Sequence, residues 1–208
     1  MIGQVRQTRR LAQSRSVRMA LAAAAILVAE GCAHQAPLPM PERSAAPAST
    51  VRRSPVRVPL HGLALVIHKG TRRLELYRDG SVEKAFPVVF GPKPEGRKRF
   101  QDDMRTPEGL YRVVKKKPHH RWRYFIAIDY PNPQDESAYE RDREEGLIPM
   151  IDGSPMPIGS GLGIHGNDRP EAQEQGLGWT RGCVAMNNAD VTELYSIVKV
   201  GTPVLFLP

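Results

Sequence analysis

Cysteine is nearly absent from this chain: the 208 residues hold 2, too few for a disulfide framework or a four-cysteine zinc site. Long apolar runs are missing as well. The longest, over residues 19–29, is eleven residues, well short of the ~18 needed to cross a bilayer. Acidic residues are scarce at one end only. Residues 1–59 carry nine Arg against Glu30 and Glu42, a net charge of +7, whereas residues 60–208 stand near balance at +1. The overall +8 therefore belongs to the N-terminal third, and the remainder has no global field to attract a polyanion. Nucleic-acid binding is excluded on that ground.

What is present is ordinary for one globular domain with appendages: 40% hydrophobic and 25% charged residues, with Gly 18 and Pro 19 supplying many turns. The first segment has Arg6, Arg9, Arg10, Arg15 and Arg18 with no acid among them, then the apolar run 19–29, then Glu30, Gly31 and Cys32. That order is an export signal rather than a fold element. Its end resembles a bacterial lipoprotein box, which implies lipidation of Cys32 and a membrane anchor. Ala29 and Glu30 depart from the usual box, and cleavage after Gly31 to leave a soluble protein is the alternative. Residues 33–59 hold six prolines and few large apolar side chains, so they are expected to form an extended spacer without a core. The organisation expected is a signal over 1–32, a linker over 33–59 and a folded domain over 60–208, exported to a bacterial envelope and periplasmic.

The domain reads as mainly β. Residues 63–67 are a compact apolar run, 71–77 alternate, and 82–90 resume an extended pattern, with Asp79-Gly80 marking a turn. Further strands are expected over 110–114, after a tight turn at Thr106-Pro107-Glu108-Gly109, and over 122–130, rich in aromatic and β-branched residues. Val191, Leu194, Tyr195 and Val198 fall at helical spacing, with Asn187 or Asn188 as the cap, and a last strand covers 203–207. Long helices do not alternate with strands, which excludes a doubly wound fold. Residues 131–156 are acidic and turn-rich, with a short charged helix expected over 138–145 and the length of a lid. Residues 93–123 are locally basic and include Lys115, Lys116 and Lys117. The two segments read as solvated surfaces of opposite sign, or else as a cleft for a zwitterionic substrate.

One constellation carries chemistry. Cys183 follows Gly182 in Trp179-Thr180-Arg181-Gly182-Cys183, and fourteen residues upstream of Thr180 lies Ile164-His165-Gly166-Asn167. A thiol becomes a nucleophile when a neighbouring base or cation promotes the thiolate. His165 supplies the base, and Arg181 a cation. Gly182 permits a sharp turn that can aim backbone N–H groups at an oxyanion. Other readings fail. Gly161-x-Gly163-x-x-Gly166 spells a dinucleotide fingerprint but lacks the following long helix and acidic residue. A zinc peptidase needs a further His beyond His165, and His119 and His120, being adjacent, should point apart on a strand at the surface. A sortase needs a downstream Arg, and papain-like enzymes place Cys before His.

His165-Gly166, a gap, then Thr180-x-Gly182-Cys183 resembles the signature of the YkuD-type L,D-transpeptidases, and the likeness extends over roughly 62–208. It implies a β-sandwich or mixed sheet with a short helix after the cysteine. It further implies Cys183 as nucleophile, His165 as proton carrier restrained by the Gly166 carbonyl, and an oxyanion hole at the Gly182 and Cys183 amides. Thr180 and Arg181 would help position the site, with Trp179 and Asn167 as substrate contacts. Arg181 and Ala185 stand where many members carry His and Arg or Asn. With Tyr130-Pro131-Asn132, this variant is similar to the YafK-like branch, which is associated with cleaving peptidoglycan links as well as making them. The implied reaction is attack by Cys183 on a tetrapeptide stem, a thioester, and its resolution by an amine (a 3→3 crosslink or an attached protein) or by water. No metal or organic cofactor is implied, and a monomer is expected to suffice. The alternatives are a thiol hydrolase of the same bonds and a catalytically idle wall-binding lipoprotein.

Overall fold

A computed structural model describes residues 61–208. The expected export signal, Cys32 and the expected spacer lie outside the described residues. Eight strands form one mixed sheet in the order β3-β2-β1-β10-β4-β5-β8-β9. They are β1 (Leu63–His68), β2 (Arg73–Arg78), β3 (Ser81–Pro87), β4 (Gly109–His119), β5 (Arg123–Ile128), β8 (Gly163–His165), β9 (Val184–Ala185) and β10 (Pro203–Leu207). β6 (Met150–Ile151) and β7 (Ser154–Pro155) make a separate hairpin, and the helices are α1 (Pro133–Glu144), α2 (Pro170–Glu174) and α3 (Asn188–Ile197). The mainly β expectation is met.

Local sequence explains most of these elements. β1 sits between β2 and β10, and its unbroken apolar run is buried along its whole middle, whereas β2 alternates because one of its faces meets solvent. β1 pairs parallel with β10 and β8 parallel with β9; the other neighbours are antiparallel. The sheet curls until its two edges meet. Val89, just beyond β3 at one edge, exchanges two 2.9 Å backbone hydrogen bonds with Ala185 of β9 at the other. The segment expected as one strand over 82–90 is thus an edge strand that ends at Pro87 and then crosses to the far edge.

Several expectations change here. The charged helix begins at Pro133, five residues earlier than expected, because Asn132 caps it. The Asn132 side chain accepts from the Gln134 and Asp135 amides, and Asp135 accepts from Asn132 N–H. Residues 104–108 are irregular rather than a tight turn. Lys69 holds them there, its Nζ donating to the Thr106 carbonyl (3.0 Å) and the Glu108 carboxylate (2.9 Å). The acidic and basic segments are not separate solvated surfaces, since Arg97 Nη2 donates to both carboxylate oxygens of the buried Asp142 of α1 at 2.6 and 2.7 Å. α3 buries Val191 and Leu194, with Val198 just beyond its end, and packs on β5, where Tyr195 stacks on Tyr124 at 4.1 Å.

The lysine run in β4 is divided in the same way. Lys116 alone reaches the C-terminal carbonyls of α3, donating to Tyr195 and Val198, with its ammonium over the Tyr195 ring at 4.4 Å. Lys117 is exposed. Lys116→Met should therefore lower unfolding free energy by about 1–2 kcal/mol, whereas Lys117→Met should stay within about 0.5 kcal/mol of the parent. Urea midpoints of the two variants check the difference.

Candidate active site

The site is made by the parallel pairing of β8 with β9, which sets Ile164 opposite Val184 and His165 opposite Ala185. In a parallel pair, opposite residues share a face, and alternate residues on one strand share it too. Continuing that register one residue beyond β9 sets Cys183 opposite Gly163 and, by the same alternation, on the side that carries His165, about 8 Å away between Cα atoms. Cys183 is half-buried, and its sulfur lies 4.0 Å from the Gly161 carbonyl. It opens onto a cleft of about 380 Å³ lined also by Lys98, Gln101, Asp102, residues 159–162 and Arg181.

Glycine is required at Gly182 and at Gly166. Gly182 turns the chain into β9 at φ +127°, and a Cβ there would meet the Arg105 carbonyl at 2.7 Å. At Gly166, a Cβ would strike the Trp122 carbonyl at 2.5 Å and the Asn188 side chain. Thr180 closes the turn between them: its hydroxyl donates to the Cys183 carbonyl (2.7 Å) and accepts from the Gly182 amide (3.3 Å). The two-amide oxyanion hole expected at Gly182 and Cys183 is reduced accordingly, because the Gly182 N–H is already engaged. Thr180 holds the loop in shape.

His165 is 1% exposed and its Nδ1 lies 2.6 Å from the Gly166 carbonyl. A carbonyl can only accept, so Nδ1 carries the proton and Nε2 keeps the lone pair of a base. Aromatic rings wall the imidazole. Trp122 stacks on it at 4.1 Å, Phe125 lies parallel at 6.0 Å, and Trp179 meets it edge-on at 5.6 Å. His119 and His120 do not point apart, because His119 ends β4 and His120 begins the turn. Their rings stack at 4.8 Å, and His119 stacks on Trp122 at 4.4 Å. Asp168 steadies Trp122, accepting from its indole N–H at 3.2 Å and from Arg121 Nε at 2.9 Å.

Burial governs both reacting groups. It pulls the His165 imidazolium down to about 4 from an ordinary 6.5, against the Gly166 hydrogen bond, which favours the charged form. It pushes the Cys183 thiol up to about 11, partly offset by a Gly163 backbone hydrogen bond and by Lys98. The expectation of a thiolate held by the imidazole is corrected: at neutral pH the resting groups are a neutral thiol and a neutral base. Arg181 is not the decisive cation either, since its side chain is 77% exposed and meets Asp102 at 3.4 Å.

The remaining expected contacts separate. Trp179 belongs to the wall around His165, with Arg169 over its ring at 5.6 Å. Asn167 is buried and serves the backbone instead of a ligand, its Nδ2 donating to the Met186 carbonyl at 3.3 Å. Asn167 and Asn188 also clamp β8 to α3 by paired 3.0 Å bonds. Asn188 is thereby used up, and the helix cap at Asn187 has no side-chain hydrogen bond. Trp122, Lys98 and Asp168 were missed by sequence reasoning. A Trp among the aromatics of a strand carries no sign of what it faces, and Lys98 lies eighty-five residues before Cys183 in the chain.

Fold and site together define a curled, mainly β domain that presents a thiol and a buried imidazole on one sheet face beside a cleft. The chain belongs to the YkuD family, the L,D-transpeptidase catalytic domain, whose model matches residues 63–205. A Bacillus subtilis protein named putative L,D-transpeptidase YqjB is 28% identical over 145 residues, covering 68% of this chain and 69% of that protein. Among solved structures, the helical cell shape determining protein Pgp2 from Campylobacter jejuni has 21% identity and a TM-score of 0.52, covering 70% of this chain and 47% of that one. The catalytic domain of the Enterococcus faecium L,D-transpeptidase has 19% identity and a TM-score of 0.44, covering 72% of this chain and all of that domain. The chain thus spans about half of the Campylobacter protein and the whole of the isolated Enterococcus domain.

The buried imidazole makes stability depend on pH. Above 6.5 His165 is neutral in both folded and unfolded chains, and its contribution is complete. As pH falls from 6.5 to about 4, the unfolded chain takes up a proton that the folded site refuses, so stability is lost across that window. The loss attributable to this residue is about 3 kcal/mol. Urea unfolding at pH 7 and pH 4.5 should show His165→Gln losing less stability between the two than the parent does.

Proposed function

We propose that the domain is a cysteine L,D-transpeptidase of the cell wall, working through a thioester on peptidoglycan tetrapeptide stems. The reading is supported above all by the His165 ring, whose Nδ1–H is held by the Gly166 carbonyl so that Nε2 keeps its lone pair, one strand over from Cys183 in the β8–β9 register. As the sulfur attacks the carbonyl of the third stem residue, its proton passes to Nε2. The Cys183 amide is the N–H of this turn that Thr180 leaves for the oxyanion. Collapse breaks the bond to the D-residue at position four, whose amine leaves with the proton from Nε2. An acceptor amine, giving its proton to Nε2, then attacks the thioester and returns the thiol. Burial of both groups fits this order, because charge arises only once substrate is bound.

The signal and spacer over 1–59 support export to the envelope and a tether that lets the domain reach the wall, with Cys32 as the lipidated residue. Incubation with tetrapeptide muropeptides, read by mass spectrometry, tests the reaction. Crosslinked dimers that vanish in Cys183→Ala are expected. Trimmed peptides without dimers would instead assign hydrolysis, and product from Cys183→Ala would overturn the site. The acidic limb of the pH–rate profile should fall near 4. Trp122→Leu, which lets water reach His165, should move that limb upward toward 6.5.

A further inference from the structure

The cleft beside Cys183 has two cations at different depths, each matched by one of two adjacent aspartates. Arg181 and Asp102 meet at the rim, where solvent screens them. Lys98 and Asp103 meet at 2.8 Å with side chains only 3% and 4% exposed. Asp103 is fixed from behind, accepting from the amides of Arg99 (2.7 Å) and Arg105 (2.9 Å). Lys98 has three N–H donors, and Asp103 receives the bond made by its Nζ. The buried pair is also oriented. Lys98 Nζ lies 3.5 Å from where a Gly182 Cβ would stand, and no Asp103 atom is as close to that point. The positive end of the pair thus faces the turn that carries the sulfur, in a setting where little water weakens its field.

We propose that Lys98 is an electrostatic positioning residue for the nucleophile: its buried ammonium, lining the cleft beneath the Gly182–Cys183 turn, stabilises negative charge as it develops on the Cys183 sulfur. The inference rests on Cys183 being the nucleophile. Burial disfavours ionisation of the thiol, a Gly163 backbone hydrogen bond favours it, and Lys98 is the charged side chain that acts on it favourably. The other charged groups about this cleft are Asp103 behind Lys98 and the Arg181–Asp102 pair at the rim, and His165 lies on the neighbouring strand β8. A structural role for Lys98, tying residues 98–105 together, would alter stability but leave thiol ionisation in place.

The two roles separate on the free protein, without substrate. The rate of Cys183 alkylation by iodoacetamide is measured against pH on the full chain, read on the Cys183 peptide by mass spectrometry. Lys98→Met should raise the midpoint by about one pH unit or more, while Lys98→Arg keeps it near the parent value. Asp103→Asn, which removes the balancing carboxylate, should move it the opposite way, downward. An unmoved midpoint in Lys98→Met overturns the proposal, and if that variant does not fold, an unmoved midpoint in Asp103→Asn does so. Shifts as expected without muropeptide turnover would preserve the electrostatic role and remove the transpeptidase reading. Turnover at Cys183 with unmoved midpoints would do the reverse.

Discussion

The parallel pairing of β8 with β9 is the constraint on which the rest of this domain depends. Fourteen residues separate His165 from Thr180, and nothing local obliges the two ends of that excursion to meet. They meet because Ile164 pairs with Val184, and because the curled sheet brings Val89 round to pair with Ala185 from the other side. β9 is only two residues long, yet it is hydrogen-bonded along both edges. A slip of one residue in that register would turn Cys183 to the opposite face from His165. The Asn167–Asn188 clamp and the two crowded glycines, Gly166 and Gly182, each oppose such a slip.

The same burial that fixes the geometry sets the chemistry. Packed among Trp122, Phe125 and Trp179, the imidazole is kept neutral, and the thiol beside it is kept protonated. A resting neutral pair is less exposed to stray electrophiles and oxidants than a thiolate would be. Three polar groups in the walls are held in place, Nδ1 by Gly166, the Trp122 indole by Asp168 and Lys98 by Asp103, whereas the buried Trp179 indole N–H has no partner.

Much of the architecture was legible along the chain. The apolar run of β1, the alternation of β2, the helical spacing of Val191, Leu194 and Val198, and the final strand follow from periodicities that neighbouring residues express together. The start of α1 has its own local signal, Asn132-Pro133 with Asp135 forming a capping box, which the spacing of the charged residues does not show. α2 and the hairpin of β6 and β7 were not anticipated, being too short to show a period.

Sequence alone singled out the candidate pair, since His165-Gly166 and Thr180-x-Gly182-Cys183 place a base, a thiol and backbone freedom in a recognisable order. It also placed the basic excess in the N-terminal third. Tertiary structure decided the protonation state of that pair, because desolvation depends on what surrounds a group and not on its neighbours in the chain. It decided, too, which cation serves the sulfur. Arg181, two residues away, reaches solvent, whereas Lys98, remote in sequence, is folded beneath the turn, and only a desolvated charge keeps its strength.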